Sequence, residues 1–259
     1  MKSEVVRHSS PEEEELAAKR EELGHLEAQL AEQELLLASL KAELAAFEGL
    51  YLRRVGVLYA ELDEWNARLA ELRAERAATP ETKTQAAEAR AQAEESHSAA
   101  YGEAAQAQPF IPSPELKKLY REAAKRVHPD TATDEADRAR RERLMKEVNA
   151  AYAAGNEDAM RRILSELDSS PESVQGSGIG ADLIRVLRQL KQVRDRLAVI
   201  ALDLADLGET EIAKLKAKTD LAVAEGRDLL AEMAASIQGR VNVARQEFEF
   251  KHVEDIRNE

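Results

Sequence analysis

The sequence predicts an all-α protein in which elongated coiled-coil helical hairpins flank a small helical module. Apolar residues make up 44% of the 259 residues, but aromatic residues only 4%, which is too few for a typical sheet or barrel core. Charged residues contribute 34%, and Ala, Glu, Leu, Lys and Arg dominate, as in long helices. Leucines also recur at heptad spacing near both ends of the chain. We therefore expect helices throughout, with glycine and proline at the breaks between them.

The first predicted helix begins at Pro11, because Ser10 can cap it and Glu13 completes a capping box. An apolar residue then recurs at every seventh position, at Leu16, Leu23, Leu30, Leu37, Leu44 and Tyr51. The pair Thr79-Pro80 repeats the cap-then-proline signal and starts an Ala-rich helix that runs to about Gln106. The short connection favours an antiparallel hairpin. Because the first helix is much longer than the second, part of it needs another partner.

The heptad register shifts once within the first helix. After Tyr51 the apolar positions advance by four residues, a stutter that locally unwinds a supercoil. Gly49 and Gly56 flank this stutter and favour a bend there. The same stretch is the most aromatic in the chain and includes Tyr59 and Trp65. We interpret these aromatic residues as core packing at the stutter, with a docking face for a partner or client as the alternative.

A short helical module is predicted between the coiled coils. Three prolines make residues 108–115 a rigid connector, and Ser113-Pro114 starts a helix that ends at Val127. One stripe of this helix is apolar and comprises Leu116, Leu119, Tyr120, Ala123 and Val127. Beyond the first turn, the remaining surface has the single acid Glu122 and is otherwise basic, with Lys117, Lys118, Arg121, Lys125 and Arg126. The module therefore opens with a strongly amphipathic, basic helix.

The next helix of the module is predicted from about Arg138. Its apolar stripe comprises Leu144, Met145, Val148, Ala151 and Tyr152. A break at Gly155 precedes a short helix that ends near Leu167. Two amphipathic helices joined by a loop of about ten residues predict an antiparallel pair. The loop contains His128, Pro129 and Asp130, which we expect to be exposed at the tip of the pair.

The C-terminal part is predicted to be a second coiled coil. Apolar residues alternate spacings of three and four without a fault, at Leu183, Val186, Leu190, Val193, Leu197, Ile200, Leu204 and Leu207. Gly208 can end that helix, and another is predicted from about Glu211 through Phe248. Its seam has many small residues, including Gly226, which fits either close helix approach or weak pairing. The predicted divisions are coiled coil at 1–107, module at 108–167, flexible linker at 168–180 and coiled coil at 181–259.

The central module resembles the J-domain, the signature module of DnaJ-type co-chaperones. The resemblance lies in LKKLYREAAKRVHPD at 116–130, followed by RLMKEVNAAY at 143–152. In that family, a basic helix II carries a tyrosine eight residues before the histidine, where Tyr120 stands here. Helix III carries a Lys-Glu-aliphatic-Asn-x-Ala-Tyr run, which residues 146–152 fit in order. The resemblance covers about a fifth of the chain and is carried by both helices together with the tripeptide.

The resemblance implies that the module docks on a DnaK-type heat-shock ATPase and stimulates its ATP hydrolysis. The basic residues would meet an acidic surface of that partner, which guides encounter more than it adds affinity. The His-Pro-Asp tripeptide would engage contacts between the partner's domains, with Asp130 competing for a cation there. The implied docking residues are Lys117, Tyr120, Arg121, Lys125, Arg126, His128, Pro129 and Asp130. Any ATPase chemistry would belong to the partner.

Three features depart from the family pattern. Prolines occupy the place of helix I, so Phe110, Ile111 or the Ala-rich helix is needed to cover the module's core. Thr131 stands where many family members have a basic residue, and the fourth helix at 156–167 looks unlike the usual one, although it carries Arg161 and Arg162. The chain has no Gly/Phe-rich region and no cysteine zinc repeat. The resemblance therefore concerns the J-module alone, carried on coiled coils.

Other function classes have little support in the sequence. The absence of cysteine excludes disulfides and thiolate catalysis and suits a reducing compartment. No two histidines lie four apart around a carboxylate, so we expect no metal or other cofactor. We interpret the many glutamates as solvated helix faces, and no set of catalytic residues can be assembled. We therefore expect no enzyme activity.

Charge and hydropathy limit the partners. The net charge of −13 argues against general nucleic-acid binding, although the basic helix is an alternative place for it. No stretch is apolar enough to span a membrane, and the N-terminus lacks the apolar core of a signal peptide. We therefore expect a cytoplasmic protein with no membrane contact.

Two hypotheses about function follow. In the first, this is a co-chaperone whose coiled-coil arms select an unidentified client, a location or an oligomeric state. In the second, it is a structural coiled-coil scaffold in which a degenerate J-like module only joins two arms. Heptads do not distinguish pairing within one chain from a homo-oligomer.

Overall fold

The computed structural model of the chain describes residues 10–132, 135–168 and 178–258. All regular structure in these ranges is helical, which confirms the predicted all-α class. The α-helices are α1 (Pro11–Tyr51), α2 (Val57–Ala77), α3 (Pro80–Tyr101), α4 (Pro114–Val127), α5 (Glu135–Ala153), α6 (Glu157–Asp168), α7 (Ile179–Glu209), α8 (Glu211–Ala224) and α9 (Leu229–Asn258). A π-helical turn at Leu52–Gly56 joins α1 to α2, and short 3₁₀ turns cover Ala104–Gln106 and Pro129–Thr131. Most of the predicted linker at 168–180 lies outside the described residues.

Side-chain caps begin the helices where the sequence predicts them. Ser10 Oγ accepts the backbone N–H of Glu13 at 3.3 Å, and the Glu13 carboxylate accepts that of Ser10 at 2.9 Å. The side chains of Thr79 and Ser113 cap α3 and α4 by accepting the N–H three residues on, at 3.3 and 2.9 Å. A proline follows each cap in the first turn, where its missing N–H costs nothing. All three predicted helix starts are confirmed.

Contacts divide the described residues into two compact units, each built from separate parts of the chain. One unit combines the described parts of Met1–Ala42 and Phe110–Gly208. The other combines the described parts of Glu43–Pro109 and Glu209–Glu259. The first unit therefore contains the J-like module together with coiled-coil segments from both sides of it.

In the first unit, the N-terminal part of α1 packs along α7. The shared apolar cluster consists of Leu16, Leu23, Leu30, Leu37, Val186, Leu190, Val193 and Ile200. An ion pair between Arg20 and Asp182, 2.9 Å apart, lies beside this seam. The early leucine repeat of α1 therefore finds its partner helix within the same chain.

The J-like module consists of α4, α5 and α6. Its core contains both predicted apolar stripes, and it buries Leu116, Leu119, Tyr120, Ala123, Val127, Met145, Val148, Ala151 and Tyr152. Phe110 packs against this core, with its ring centroid 5.4 Å from that of Tyr152. The expectation that Phe110 covers the core is thus confirmed, whereas Ile111 is 88% exposed. The remaining cover within this unit comes from α1, through Ala31 and Leu35.

In the second unit, α2 packs against α3 and also against α9. Asp63 accepts a hydrogen bond from Ser96, and Glu71 accepts one from Arg90, so α2 and α3 form the predicted antiparallel hairpin. Trp65 packs against α9, 5.7 Å from the ring of Phe248. The aromatic stretch around the stutter is therefore part of the core of this unit.

The stutter after Tyr51 takes the form of the π-helical turn at Leu52–Gly56. A π-turn holds one more residue than an α-turn, and here it places Val55 in the core with no exposed surface. One turn earlier, a Cβ atom on Gly49 would lie 2.8 Å from the carbonyl oxygen of Ala104. The backbone approach at Gly49 therefore requires glycine.

Four predicted helix boundaries differ from the structure. α3 ends at Tyr101, five residues before the predicted Gln106, and a 3₁₀ turn covers Ala104–Gln106. α5 starts at Glu135, three residues before the predicted Arg138. α7 continues through Gly208 to Glu209, so glycine does not end this helix. The single helix predicted after Glu211 is divided into α8 and α9, because the chain turns at Gly226 with a φ of +78°. Glycine adopts this left-handed conformation without steric cost, so this residue serves a turn and not a helix seam.

Candidate functional site

The His-Pro-Asp tripeptide lies where α4 ends. Pro129 has no backbone N–H, and it disfavours helical backbone at the preceding residue. His128 accordingly has extended backbone, with φ −63° and ψ 127°, and terminates the helix after Val127. The 3₁₀ turn Pro129–Thr131 follows, held by the Thr131 hydroxyl, which donates to the His128 carbonyl at 2.8 Å. Pro129 is therefore the residue that stops α4.

The imidazole of His128 is hydrogen-bonded at both nitrogens. Its Nδ1 accepts the backbone N–H of Asp130 at 3.2 Å. Its Nε2 lies 3.0 Å from Oε1 of Glu34, which belongs to α1. Because Nδ1 is an acceptor, Nε2 carries the hydrogen and donates it to the carboxylate. Only 2% of His128 is exposed, so this neutral tautomer is held inside the first unit.

Glu34 receives a second donor from the other coiled-coil helix. Arg196 of α7 donates its Nε–H to the same Oε1 at 2.7 Å, while Glu34 is only 5% exposed. Burial by itself raises the pKa of the Glu34 carboxyl, but the hydrogen bonds from His128 and Arg196 outweigh it and leave the pKa below its usual value. We call Glu34, His128 and Arg196 the buried cluster. Three separate segments of the chain meet there.

The structure corrects the prediction that the tripeptide is exposed at the tip of a helical pair. His128 is buried, and Pro129 and Asp130 are half-buried. The reason is that α1 and α7 pack over the end of α4, so the helix pair is not isolated. α7 contributes Gln189, whose side-chain amide donates to the Thr131 carbonyl at 3.1 Å. The tripeptide is thus an internal contact in this conformation.

Tyr120 is a core residue. It has no exposed surface, its ring lies 4.7 Å from that of Tyr152, and its hydroxyl donates to Asn149 Oδ1 at 2.7 Å. Burial raises the pKa of the Tyr120 hydroxyl, which stays protonated at neutral pH. This side chain therefore fixes α4 against α5, and it contributes to a docking surface only through the position of α4.

The predicted basic surface of α4 is partly open. Lys118 and Lys125 are exposed, and Lys117 is half-buried. Arg121 instead forms an ion pair with Glu32 of α1, with its Nε 2.6 Å from Oε2. Arg126 lies 3.7 Å from Glu122 one turn away on the same helix. The structure therefore leaves lysines on the surface, while α1 neutralises one arginine.

The sequence interpretation missed Glu34 and Arg196, because it treated the glutamates as solvated helix faces. A signal for Glu34 exists in the first helix. Ala31, Leu35 and Ala38 form a second apolar stripe, outside the heptad seam, with Glu34 between them. The module core is where this stripe packs, so the short stripe marks the part of α1 that contacts the module.

Among the described residues, no group of three or more histidine, aspartate or glutamate side chains could hold a metal ion. Within the same ranges, no helix has the length and apolar character needed to cross a membrane. No family model matches this chain, and no match was found among curated proteins or solved structures.

Proposed function

We propose that this chain is a J-domain co-chaperone that docks on a DnaK-type heat-shock ATPase through its J-like module and stimulates ATP hydrolysis by that partner. The observation that carries the proposal is the arrangement of α4 and α5. A basic amphipathic helix ends in His128-Pro129-Asp130 and packs on a second helix that carries the Lys146–Tyr152 run. The coiled-coil helices would then select a client or another partner, and cytoplasmic location remains part of the proposal.

Charge supports a protein partner with an acidic surface. The chain as a whole carries a net charge of −13, whereas α4 exposes Lys118 and Lys125. A local basic face on an acidic protein attracts an acidic surface and orients it during encounter. The overall negative charge repels nucleic acid, which makes that alternative the weaker one.

Docking through the tripeptide requires a conformational step. His128 is bonded to Glu34 and buried, so the tripeptide must leave α1 before another protein can contact it. The apolar contact that α1 makes with the module is small, since it comes from Ala31, Leu35 and the partly buried Ala38. We therefore propose docking from an open form that is less populated than the closed one.

Single-turnover ATP hydrolysis by a DnaK-type ATPase tests the proposal. The wild-type chain should accelerate hydrolysis, and His128→Gln and Asp130→Asn should each remove most of that acceleration. His25→Gln is the matched control, because this histidine is on α1 and its side chain is 81% exposed. Equal rates for wild type and both tripeptide variants would exclude the co-chaperone function. Circular dichroism on every variant separates loss of docking from loss of folding.

A second candidate function is a structural scaffold in which the J-like module only joins coiled-coil segments. The burial of His128 favours this alternative, since the tripeptide then serves as an internal joint. In that case His128→Gln should lower stability or change the mass in solution, with no ATPase stimulation by the wild type. If the variant loses its function in cells while stability and assembly stay intact, the scaffold alternative fails.

A further inference from the structure

The buried cluster connects the tripeptide to α1 and, through Glu34, to α7. Glu34 Oε1 accepts from His128 Nε2 at 3.0 Å and from Arg196 Nε at 2.7 Å, so one oxygen joins α1, α7 and the loop after α4. In the described part of the chain, no buried side-chain nitrogen or oxygen lacks a hydrogen-bond partner. Removing Glu34 would therefore leave two donors without their acceptor while the unit stays closed.

The loop itself is held by further contacts. Gln189 of α7 donates to the Thr131 carbonyl at 3.1 Å, and Arg141 of α5 donates to the Thr131 hydroxyl at 2.8 Å. Arg138 lies 3.6 Å from the Asp130 carboxylate, which is 15% exposed. The contact with Arg141 is internal to the module, whereas Glu34 of α1 and Gln189 of α7 bond the loop from the coiled-coil helices. The contacts of Glu34 and Gln189 with the loop have to break when the tripeptide becomes exposed.

The two faces of α1 differ in strength. Its heptad face contributes four buried leucines to the seam with α7, whereas the face toward the module buries only Ala31 and Leu35. Apolar burial stabilises in proportion to area, so the seam is the stronger contact. The α1–α7 pair can therefore stay assembled while the module moves away from it. The polar contacts between this pair and the loop after α4 are the bond of Glu34 with His128 and the bond of Gln189 with Thr131.

We propose that the α1–α7 pair is an autoinhibitory cover for the J-like module, and that the bond from His128 to Glu34 is the contact that keeps the tripeptide from a docking partner. The proposal rests on the proposed co-chaperone function for its biological meaning. It also makes a statement about the chain alone: access to His128 is limited by Glu34. Weakening Glu34 should raise the population of the open form, and with it the apparent affinity for the partner.

Acylation of histidines by diethylpyrocarbonate, followed by mass spectrometry of peptides, tests the cover without any partner. In the wild type, His128 should react at least about tenfold more slowly than the exposed His25, which serves as the internal reference. Glu34→Ala should raise the rate at His128 about tenfold. Glu32→Ala is the matched control, because it removes a more exposed ion pair between α1 and Arg121 and should leave the rate at His128 unchanged.

Glu34→Gln provides a second variant if Glu34→Ala does not fold, since it keeps the size of the side chain but replaces the carboxylate that accepts from His128 with a neutral amide, a weaker acceptor. It should also raise the rate at His128. The cover is overturned if His128 in the wild type reacts as fast as His25, or if neither folded variant changes its rate. Circular dichroism of every variant excludes general unfolding as the cause, and His25 corrects for differences in reagent concentration between samples.

ATPase stimulation then separates the two proposals. Glu34→Ala should reach half-maximal stimulation at about a tenfold lower concentration than the wild type, and adding His128→Gln should abolish the gain. If His128 becomes reactive but no variant stimulates hydrolysis, the cover stands and the co-chaperone function fails. If the wild type and Glu34→Ala stimulate equally and His128 is equally protected in both, the function stands and the cover fails.

Discussion

The buried cluster of the first unit and a charged cluster of the second unit differ in exposure more than in geometry. The buried cluster has almost no solvent contact. The exposed cluster, defined as Arg90, Glu64 and Glu71, has the better geometry: Arg90 bonds Glu71 through Nε and Nη2 at 2.8 Å each and Glu64 through Nη1 at 2.6 Å. These side chains are between 33% and 41% exposed. Bond lengths alone would rank the exposed cluster first.

Solvent reverses that ranking. Water replaces the bonds of an exposed ion pair at little cost, so such pairs contribute about 0–1 kcal/mol. A buried group that loses its partner has no replacement, and breaking a buried pair costs about 3–5 kcal/mol. Hydrogen bonds from Arg90 to Glu71 and Glu64 raise the pKa of the Arg90 guanidinium, yet this group is charged at neutral pH in any case. The comparison shows that short hydrogen-bond distances between two groups do not by themselves mean a large contribution to the free energy of unfolding.

The largest effect is expected for Glu34→Ala, which should lower the free energy of unfolding of the closed first unit by about 3 kcal/mol. The alanine leaves the donors of His128 and Arg196 without an acceptor. Urea denaturation followed by circular dichroism measures the loss, and hydrogen exchange of α4 and α5 assigns it to the first unit. A loss of less than about 1 kcal/mol would show that the buried cluster behaves like an exposed one.

Arg196→Met should cost less, about 1.5 kcal/mol, because one charged hydrogen bond is lost while that between Glu34 and His128 remains. The side chain of Arg196 is 28% exposed, which further limits its contribution. The same denaturation experiment measures it. A cost equal to that of Glu34→Ala would mean that the arginine, and not the histidine, is the main partner of the carboxylate.

Lowering the pH should remove the charge-dependent part of the Glu34 contribution. The pKa of Glu34 lies below its ordinary value of 4.5, so its stabilisation is complete above about pH 5.5 and is lost as the pH falls through the folded pKa. The stability difference between wild type and Glu34→Gln should therefore be constant at neutral pH and shrink below about pH 4.5. The difference is used because Glu27 in the same unit has a pKa raised by burial. A difference that grows on acidification would contradict this assignment.

The smallest effect is expected at the exposed cluster. Arg90→Met should lower the free energy of unfolding by about 0.5 kcal/mol, and 1 M salt should abolish most of that difference. Denaturation in low and high salt measures both quantities. A salt-independent loss of about 2 kcal/mol would mean that the two hydrogen bonds from Arg90 to Glu71 are shielded from water.

Local signals in the sequence were sufficient for the helix starts and the module core. Ser10, Thr79 and Ser113 cap helices because a short polar side chain followed by proline satisfies the first turn without help from the rest of the fold. The apolar stripes of α4 and α5 are equally local, since helical spacing alone decides which residues share a face. These predictions depend only on neighbouring residues, so they hold whatever the rest of the chain packs against.

The burial of the tripeptide depends on residues far away in the chain. Glu34 and His128 are 94 positions apart, so the residues next to each one do not identify the other as its partner. Heptads predicted that α1 pairs with another helix, but leucines at equal spacing do not specify which one. The turn at Gly226 was missed for a similar reason, because a glycine fits both a crowded seam and a left-handed turn.

The π-helical turn at Leu52–Gly56 gives the second unit a means of adjusting the rotation of one helix segment relative to the next. The extra residue of this turn sets the direction in which the side chains of α2 point. Removing it would rotate α2 by about 100° relative to α1. Leu62 and Leu69, which pack against α9, would then face elsewhere. Inserting or deleting one residue at this turn would therefore change which face of α2 packs against α9, without any substitution in α1 or α2.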